Sequence, residues 1–297
     1  MHIVFFGTAS MVPTKTRNHS GIFVREGTEN ILVDCGEGTQ RQFRVAGIPP
    51  PKITRIFLTH WHGDHFFGLP GLLENLSKNH YAQTLHVYGP KGSKKRMEKL
   101  LDAVGITTPF PLKVHDITKN GVFLETNDLT VTAMYLKHSV PCLGYRISTK
   151  DKIKMDMNFL KKHKIPSGPL LGKLQQGKNI TYEGKKIKAT DATYIQKGKT
   201  LCIIVDTALC DSCYALAKNA DVLICESTYT HEHATKAKAY LHLTSTQAAT
   251  IAKKAKVKKL FLTHYSQRYN SPAIFKKEAR KVFKHTEAAE DFTVVDL

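Results

Sequence analysis

The sequence predicts an α/β layered fold, on three observations. Short runs rich in Val, Ile, Leu and Phe alternate with stretches of helical periodicity along most of the 297 residues. Apolar residues make up 41% of the chain, enough to fill a large core. The ends of two strands also recur, FLTH at 57–60 and 261–264, and ILVD at 31–34 with IIVD at 203–206. Each half thus offers one strand whose exit carries a His and one whose exit carries an Asp, as two similar halves facing one site would.

In chain order, the strand candidates are HIVFFG (2–7), NILVD (30–34), RIFLT (55–59), TLHVYG (84–89), LTVTAMYL (129–136), LCIIVD (201–206), DVLIC (221–225) and KLFLT (259–263). Helical patterns cover roughly 37–46, 68–79, 91–104, 211–219, 245–256 and 272–284. Two helix starts are marked. Thr244 and Gln247 have capping-box spacing, and Ser271-Pro272 puts a cap residue before a Pro at the first helical position.

Lys plus Arg number 44 against 25 Asp plus Glu, a formal charge of +19. The composition excludes a disordered chain, a fibrous repeat and a disulfide-stapled miniprotein. A charge this size attracts polyanions, either nucleic acid or an anionic membrane. No stretch approaches the ~20 apolar residues of a membrane-spanning helix. The N-terminal apolar run is short, broken at Gly7 and not preceded by basic residues. The six cysteines are scattered, so a soluble, reducing, cytoplasmic setting is expected. Cys210 and Cys213 form a Cys-x-x-Cys with no second pair at zinc-ribbon spacing, and read as structural.

One segment breaks the alternation. Residues 150–199 hold thirteen Lys and four Asp or Glu, leaving nine of the nineteen net charges in a sixth of the chain. The centre, KKHKIPSGPLLGKLQQGK, is interrupted by Pro and Gly and describes a protruding arm better than a core element. Leu170, Leu171 and Leu174 are apolar anchors that a plain linker would not need.

The sharpest signal is FLTHWHGDHFFGLPGLL (57–73), with His60, His62, Asp64 and His65 just beyond a strand. Imidazole and carboxylate donors suit zinc, manganese or iron. Gly63 lets the loop curl so that neighbouring donors converge. Four ligands in six residues exceed what one tetrahedral site takes while keeping an open position, so two adjacent metals are expected.

The His-x-His-x-Asp-His string resembles the metallo-β-lactamase superfamily, and within it the chain is similar to the ribonuclease Z family. The motifs that carry the likeness run in the family's order through essentially the whole chain. They are FFGTASMVPTKTRN (5–18), VDCGEGTQRQ (33–42), THWHGDHFFGLPGLL (59–73), HSVPCLGYR (138–146), the basic IPSGPLLGKLQQG segment, VDT (205–207), EST (226–228), HLTSTQAA (242–249) and LTHYSQRY (262–269). The resemblance implies a four-layer αββα sandwich of two similar halves. It implies one such domain over 1–297, with a flexible, tRNA-binding arm inserted at about 150–185.

The same resemblance implies residue roles. His60, His62 and His138 would hold one zinc, and Asp64, His65 and His264 a second, with Asp206 bridging. Manganese is the alternative metal. The implied reaction removes the 3′ trailer of precursor tRNA, through a hydroxide held by the two metals, with Asp64 assisting deprotonation. His242 would give a proton to, or stabilise, the leaving 3′ oxygen. Glu226, in Cys225-Glu226 where the family often has His-Glu, would orient a neighbouring histidine. RNA contacts fall to Lys15 and Arg17 in the PTKTRN loop and to Lys161, Lys162, Lys164 and Lys173 in the arm. A homodimer, one subunit's arm serving its partner's site, is implied in the same way. Two rivals stand beside this reading. One is a hydrolase of the same fold acting on a small ester, to which a basic arm brings nothing. The other is an RNA-binding protein with a structural metal, which the open ligand set disfavours.

Overall fold

The computed structural model describes residues 1–297. The apolar runs assemble into two seven-stranded sheets. The first orders Val294–Asp296, His2–Gly7, Gly21–Glu26, Glu29–Val33, Arg55–Phe57, Leu85–Pro90 and Leu112–Ile117 from edge to edge. The second orders Thr286–Ala288, Lys259–Thr263, Val222–Glu226, Thr200–Ile204, Cys142–Thr149, Leu129–Leu136 and Gly121–Glu125. Glu29–Val33, Arg55–Phe57 and Leu85–Pro90 run parallel, as do Thr200–Ile204, Val222–Glu226 and Lys259–Thr263.

Alternation along each strand builds the layers. Ile3, Phe5, Ile22 and Ile31 meet Val131, Tyr145, Ile203, Ile224 and Phe261 in one buried cluster between the sheets. Their neighbours Val4, Phe6, Phe23 and Leu32 face outward against Phe43, Leu69, Leu72, Leu76 and Met97 of the helices Thr39–Val45, Leu69–Lys78 and Ser93–Val104. Cys202, Ile204, Leu223 and Leu260 pack on Leu216, Ile251, Ala252, Phe275 and Ala279 of the helices Asp211–Ala217, Ser245–Lys254 and Ala273–Arg280. Helix, sheet, sheet, helix: the architecture is the expected αββα sandwich.

The strands that were predicted lie within two residues of their expected ranges. Not foreseen were two strands inside the sheets, Gly21–Glu26 and Cys142–Thr149, and edge strands such as Leu112–Ile117 and Gly121–Glu125, whose residues are almost all partly exposed. Thr244 caps its helix through both arms of the capping box. The helix expected from Pro272 begins one residue later, at Ala273, with Ser271 Oγ accepting from the Ala273 amide at 3.2 Å.

The basic segment forms a compact unit of its own, Ser148–Lys199, longer than the expected 150–185. Strand Thr193–Gln196 returns to pair antiparallel with Lys152–Met155, which closes the unit fourteen residues further on than expected. Leu160, Ile165, Leu174, Ile180, Ile187 and Ala192 are its buried core, with Leu170 and Leu171 packed against them. The insertion thus carries a small fold with a core of its own.

Candidate metal centre

Parallel strands leave their sheet on one edge, and the donors collect there. Asp34, Asp206 and His264 follow Val33, Ile204-Val205 and Thr263, and all three take left-handed backbone, with φ of 60°, 51° and 61°. Such conformations cost non-glycine residues about 1 kcal/mol or more, and persist where the surroundings over-determine them. His60 stands three residues beyond Phe57, fully buried, and His62 precedes the single helical turn Gly63–Phe66 that carries Asp64 and His65.

The side chains point to two adjoining positions. His62 Nδ1 lies 3.0 Å from His60 Nε2 and 3.2 Å from His138 Nε2. Asp206 Oδ2 closes this group, 3.6 Å from His60 Nε2 and 3.8 Å from His138 Nε2. On the other side, Asp64 Oδ2 lies 3.4 Å from His65 Nε2 and 3.6 Å from His264 Nε2. Asp206 Oδ1 completes that group, 3.0 Å from His264 Nε2 and 3.5 Å from His65 Nε2. Asp206 therefore divides its two oxygens between two sets of donors.

Metal–nitrogen bonds of ~2.0–2.1 Å in a tetrahedron put ligand atoms roughly 3.3 Å apart, which these separations bracket. His65 Nε2, Asp206 Oδ1 and His264 Nε2 are moreover buried without any hydrogen-bond partner. Orphaned buried polar atoms cost ~1–3 kcal/mol each, and a cation among them removes that cost. The donor set fits a divalent metal.

Each imidazole is turned by a hydrogen bond at its far nitrogen. His65 Nδ1 lies 2.6 Å from Asp34 Oδ2, His138 Nδ1 3.2 Å from the Leu241 carbonyl, and His264 Nδ1 3.1 Å from Thr228 Oγ1. His60 Nδ1 lies 3.0 Å from Thr59 Oγ1, and Thr59 donates to Asp34 through both its amide and its hydroxyl. Such outer partners fix which nitrogen faces the metal. Burial holds His60, His62 and His138 below the ordinary imidazole value, so their lone pairs are available. Burial pushes the Asp206 carboxyl up, but the surrounding imidazoles of His264, His65 and His60 outweigh it and keep it ionised. Asp34 is absent from the donors that sequence reasoning singled out. Its signal was the repeat itself, since ILVD places it where IIVD places Asp206.

The model of the metallo-β-lactamase superfamily matches residues 15–151. The ribonuclease Z of Lactiplantibacillus plantarum is 40% identical over 307 residues, covering 100% of this chain and 98% of the relative. That of Chlamydia abortus is 38% identical over 290 residues, covering 98% and 94%. The chain belongs to the ribonuclease Z family. Human tRNase Z, short form, superposes with a TM-score of 0.73 at 28% identity, covering 100% of this chain and 99% of that one. A metallo-β-lactamase fold protein of Bacillus subtilis, YhfI, reaches the same TM-score at 21% identity, which speaks for the fold alone.

In this ribonuclease Z family member a cavity of about 510 Å³ opens over the centre. His62, Asp64, His138, Asp206 and His242 line its floor, and the exposed rings of Phe67 and Tyr240 stand at its wall. Asp64 is also held by Met11, whose amide donates to Oδ2 at 2.8 Å. His242 Nδ1 lies 3.0 Å from Glu226 Oε1, which also accepts from the Thr207 amide at 2.7 Å. Glu226 Oε2 accepts from Thr228 Oγ1 and the Leu243 amide at 2.7 and 3.1 Å. Glu226 is wholly buried, and the histidine it touches is His242; no Lys pairs with it. Burial lowers the His242 pKa, but the Glu226 carboxylate outweighs it and raises the ring to about 9.

The expected RNA contacts separate. Lys15 is exposed, and so are Lys161, Lys162, Lys164 and Lys173. Arg17 is not. It is 5% exposed, and its Nη2 donates to the carbonyls of Tyr269 and Ser266 at 2.8 and 3.5 Å. A guanidinium spent on two backbone carbonyls ties the PTKTRN loop to segment 266–269, so the expected RNA contact at Arg17 is corrected to a structural role.

Proposed function

We propose that the chain removes the 3′ trailer of precursor tRNA at a centre of two zinc ions, with manganese as the alternative metal. The observation that carries this reading is the division of Asp206 between two donor sets beneath an open cavity, in a chain that matches ribonuclease Z end to end. His60, His62 and His138 would hold one ion and Asp64, His65 and His264 the other, with Asp206 shared. When bound, two such ions bring the pKa of a coordinated water to near ~7 and draw charge from the phosphate oxygens.

The chain's own groups do the rest. Asp64 turns Oδ2 toward the donors, and its second oxygen accepts the proton of the attacking water. His242, held protonated by Glu226, keeps Nδ1 on that carboxylate and presents Nε2 to the cavity. It gives the Nε2 proton to the leaving 3′ oxygen as the phosphorus–oxygen bond breaks. The products are a 3′-hydroxyl on the tRNA and a 5′-phosphate on the trailer. Glu226 acts through His242 and is a positioning residue. His242 also lies close to Asp206 and His264, near enough to share a metal. His242→Ala decides between the two roles: retained metal with lost turnover makes it the acid, and lost metal makes it a ligand.

Lys161, Lys162, Lys164 and Lys173 in the Ser148–Lys199 unit grip the folded part of the tRNA through its phosphates, and Lys15 contacts RNA near the cut. The proposal includes a homodimer in a reducing cytoplasm, one subunit's unit serving its partner's site; sedimentation of the pure protein as a monomer would remove that element. The test of the activity is a precursor tRNA with a 3′ trailer, incubated with and without chelator. A single chelator-sensitive cut after the discriminator base is expected. Binding without cutting transfers the chain to the RNA-binding rival.

A further inference from the structure

Close to the metal centre, but outside its donors, the structure sets two thiols side by side. The Sγ atoms of Cys210 and Cys213 are 3.6 Å apart, and both cysteines are free. The Cys213 amide donates to the Cys210 carbonyl at 3.1 Å, a single turn that holds their Cα atoms within ~7 Å. Disulfides need Cα atoms ~4.4–6.8 Å apart, so the pair can close with little backbone movement. The two sulfurs differ in access. Cys210 is partly exposed, whereas Cys213 is wholly buried, as are Cys35, Cys142, Cys202 and Cys225. Donation from the Cys213 thiol lowers the Cys210 pKa, and the same bond together with burial raises that of Cys213. The nucleophilic thiolate and the accessible sulfur are the same atom.

The pair is wired to the centre through one residue. Cys210 Sγ lies 3.8 Å from Thr207 Oγ1. Thr207 follows Asp206, and its amide donates to the Glu226 oxygen that holds His242. Ala208, next along, donates to the carbonyl of Lys137 at 2.7 Å, beside His138. The segment from 207 to 210 is thus tied to three of the side chains around the cavity.

We propose that Cys210 and Cys213 are a thiol–disulfide exchange site whose closure disturbs the metal centre through Thr207. The oxidant is a small disulfide such as glutathione disulfide. The Cys210 thiolate attacks one of its sulfurs, the small disulfide's S–S bond breaks, and one thiol leaves. Cys213 then loses its proton, attacks Cys210 Sγ and displaces the second small thiol, forming the Cys210–Cys213 bond. Two electrons pass from the cysteine pair to the small disulfide, and the two protons end on the released thiols. Closure draws the sulfurs from 3.6 Å to ~2.0 Å, and so pulls Cys210 Sγ away from Thr207. Disulfides that form in a reducing compartment are usually transient and catalytic or redox-sensing, which moves the pair from the structural reading its sequence suggested.

The test equilibrates the full chain with mixtures of reduced and oxidised glutathione, alkylates free thiols, and reads intact mass and turnover of bis(p-nitrophenyl) phosphate. The expected result is loss of two hydrogens, with Cys210 and Cys213 protected from alkylation, and a several-fold fall in turnover that dithiothreitol reverses. Cys213→Ser should stop with one glutathione on Cys210, and Cys210→Ser should keep its turnover under every mixture. Two outcomes overturn the proposal: Cys210 and Cys213 staying fully alkylatable in oxidised glutathione, or closure with turnover unchanged. The turnover arm rests on the proposed phosphodiesterase activity, and the mass arm does not. A reduced protein that cleaves nothing would sink the activity reading while the mass still reports the thiol chemistry, and faster loss of metal to a chelator on closure then reads the coupling.

Discussion

Asp34 and Asp206 leave corresponding strands of the two halves in the same left-handed turn, yet they do opposite things with their charge. Asp34 is saturated. Its oxygens take the amide and hydroxyl of Thr59 and the Nδ1 side of His65. Asp206 is starved: its Oδ1 has no hydrogen-bond partner, and both oxygens face imidazoles across gaps of 3.0–3.8 Å. A carboxylate given enough donors orients its neighbours, and one left short of them draws in a cation. His65 joins the two, one ring nitrogen on Asp34 and the other facing Asp206. A repeated backbone has been put to two uses by what surrounds each copy.

The largest effect should come from the starved carboxylate. Asp206→Ala is expected to lower cleavage of precursor tRNA by at least ~10³-fold, since several kcal/mol of charge stabilisation depend on the metals it would hold. Activity within tenfold of wild type would erase the distinction from Asp34. His242→Ala should cost ~10²–10⁴ in turnover while metal content is unchanged, as loss of a positioned acid does. The saturated carboxylate should matter less. Asp34→Asn is expected to weaken metal affinity by ~10–100-fold, read by competition with a chromogenic chelator, because His65 loses the acceptor that sets its tautomer. Neutralising Lys161, Lys162, Lys164 and Lys173 together should weaken precursor binding and flatten its salt dependence by up to ~0.7–0.9 per lost phosphate contact. Hydrolysis of bis(p-nitrophenyl) phosphate should be untouched. The smallest effect belongs to a helix start in the outer layer: Gln247→Ala removes one arm of the capping box and should cost ~1 kcal/mol or less in urea unfolding.

The sandwich was legible because several of its central strands are buried on both faces and read as unbroken apolar runs, such as LCIIV and KLFLT. Gly21–Glu26 and Cys142–Thr149, whose apolar runs are cut by Gly, Arg and polar residues, were missed. Edge strands such as Leu112–Ile117 were missed as well, since charged and half-exposed residues interrupt their pattern. The core of the inserted unit was legible only in part, through Leu170, Leu171 and Leu174, for a related reason. Leu160, Ile165 and Leu174 are separated by Lys, Gly and Pro, and become a cluster only when Thr193–Gln196 closes on Lys152–Met155. Among the site residues, the string from His60 to His65 carries its own chemistry; Asp206 and His264 were marked by the repeated strand ends, and their roles, with that of His138, were reached through the family's motifs. The roles of Asp34 and Arg17 turn on which atoms lie within 3 Å, which no spacing along the chain reveals. Arg17 looked like an exposed cation and is a buried tie between loops.

The most direct test of the account is the metal content of purified wild-type, Asp206→Ala and Asp34→Asn proteins, measured by plasma emission after exhaustive dialysis. The account predicts two zinc or manganese ions per wild-type chain. It predicts at most one in Asp206→Ala, and two in Asp34→Asn that are more readily stripped. Two ions retained in Asp206→Ala, or a single ion in the wild type, would contradict it.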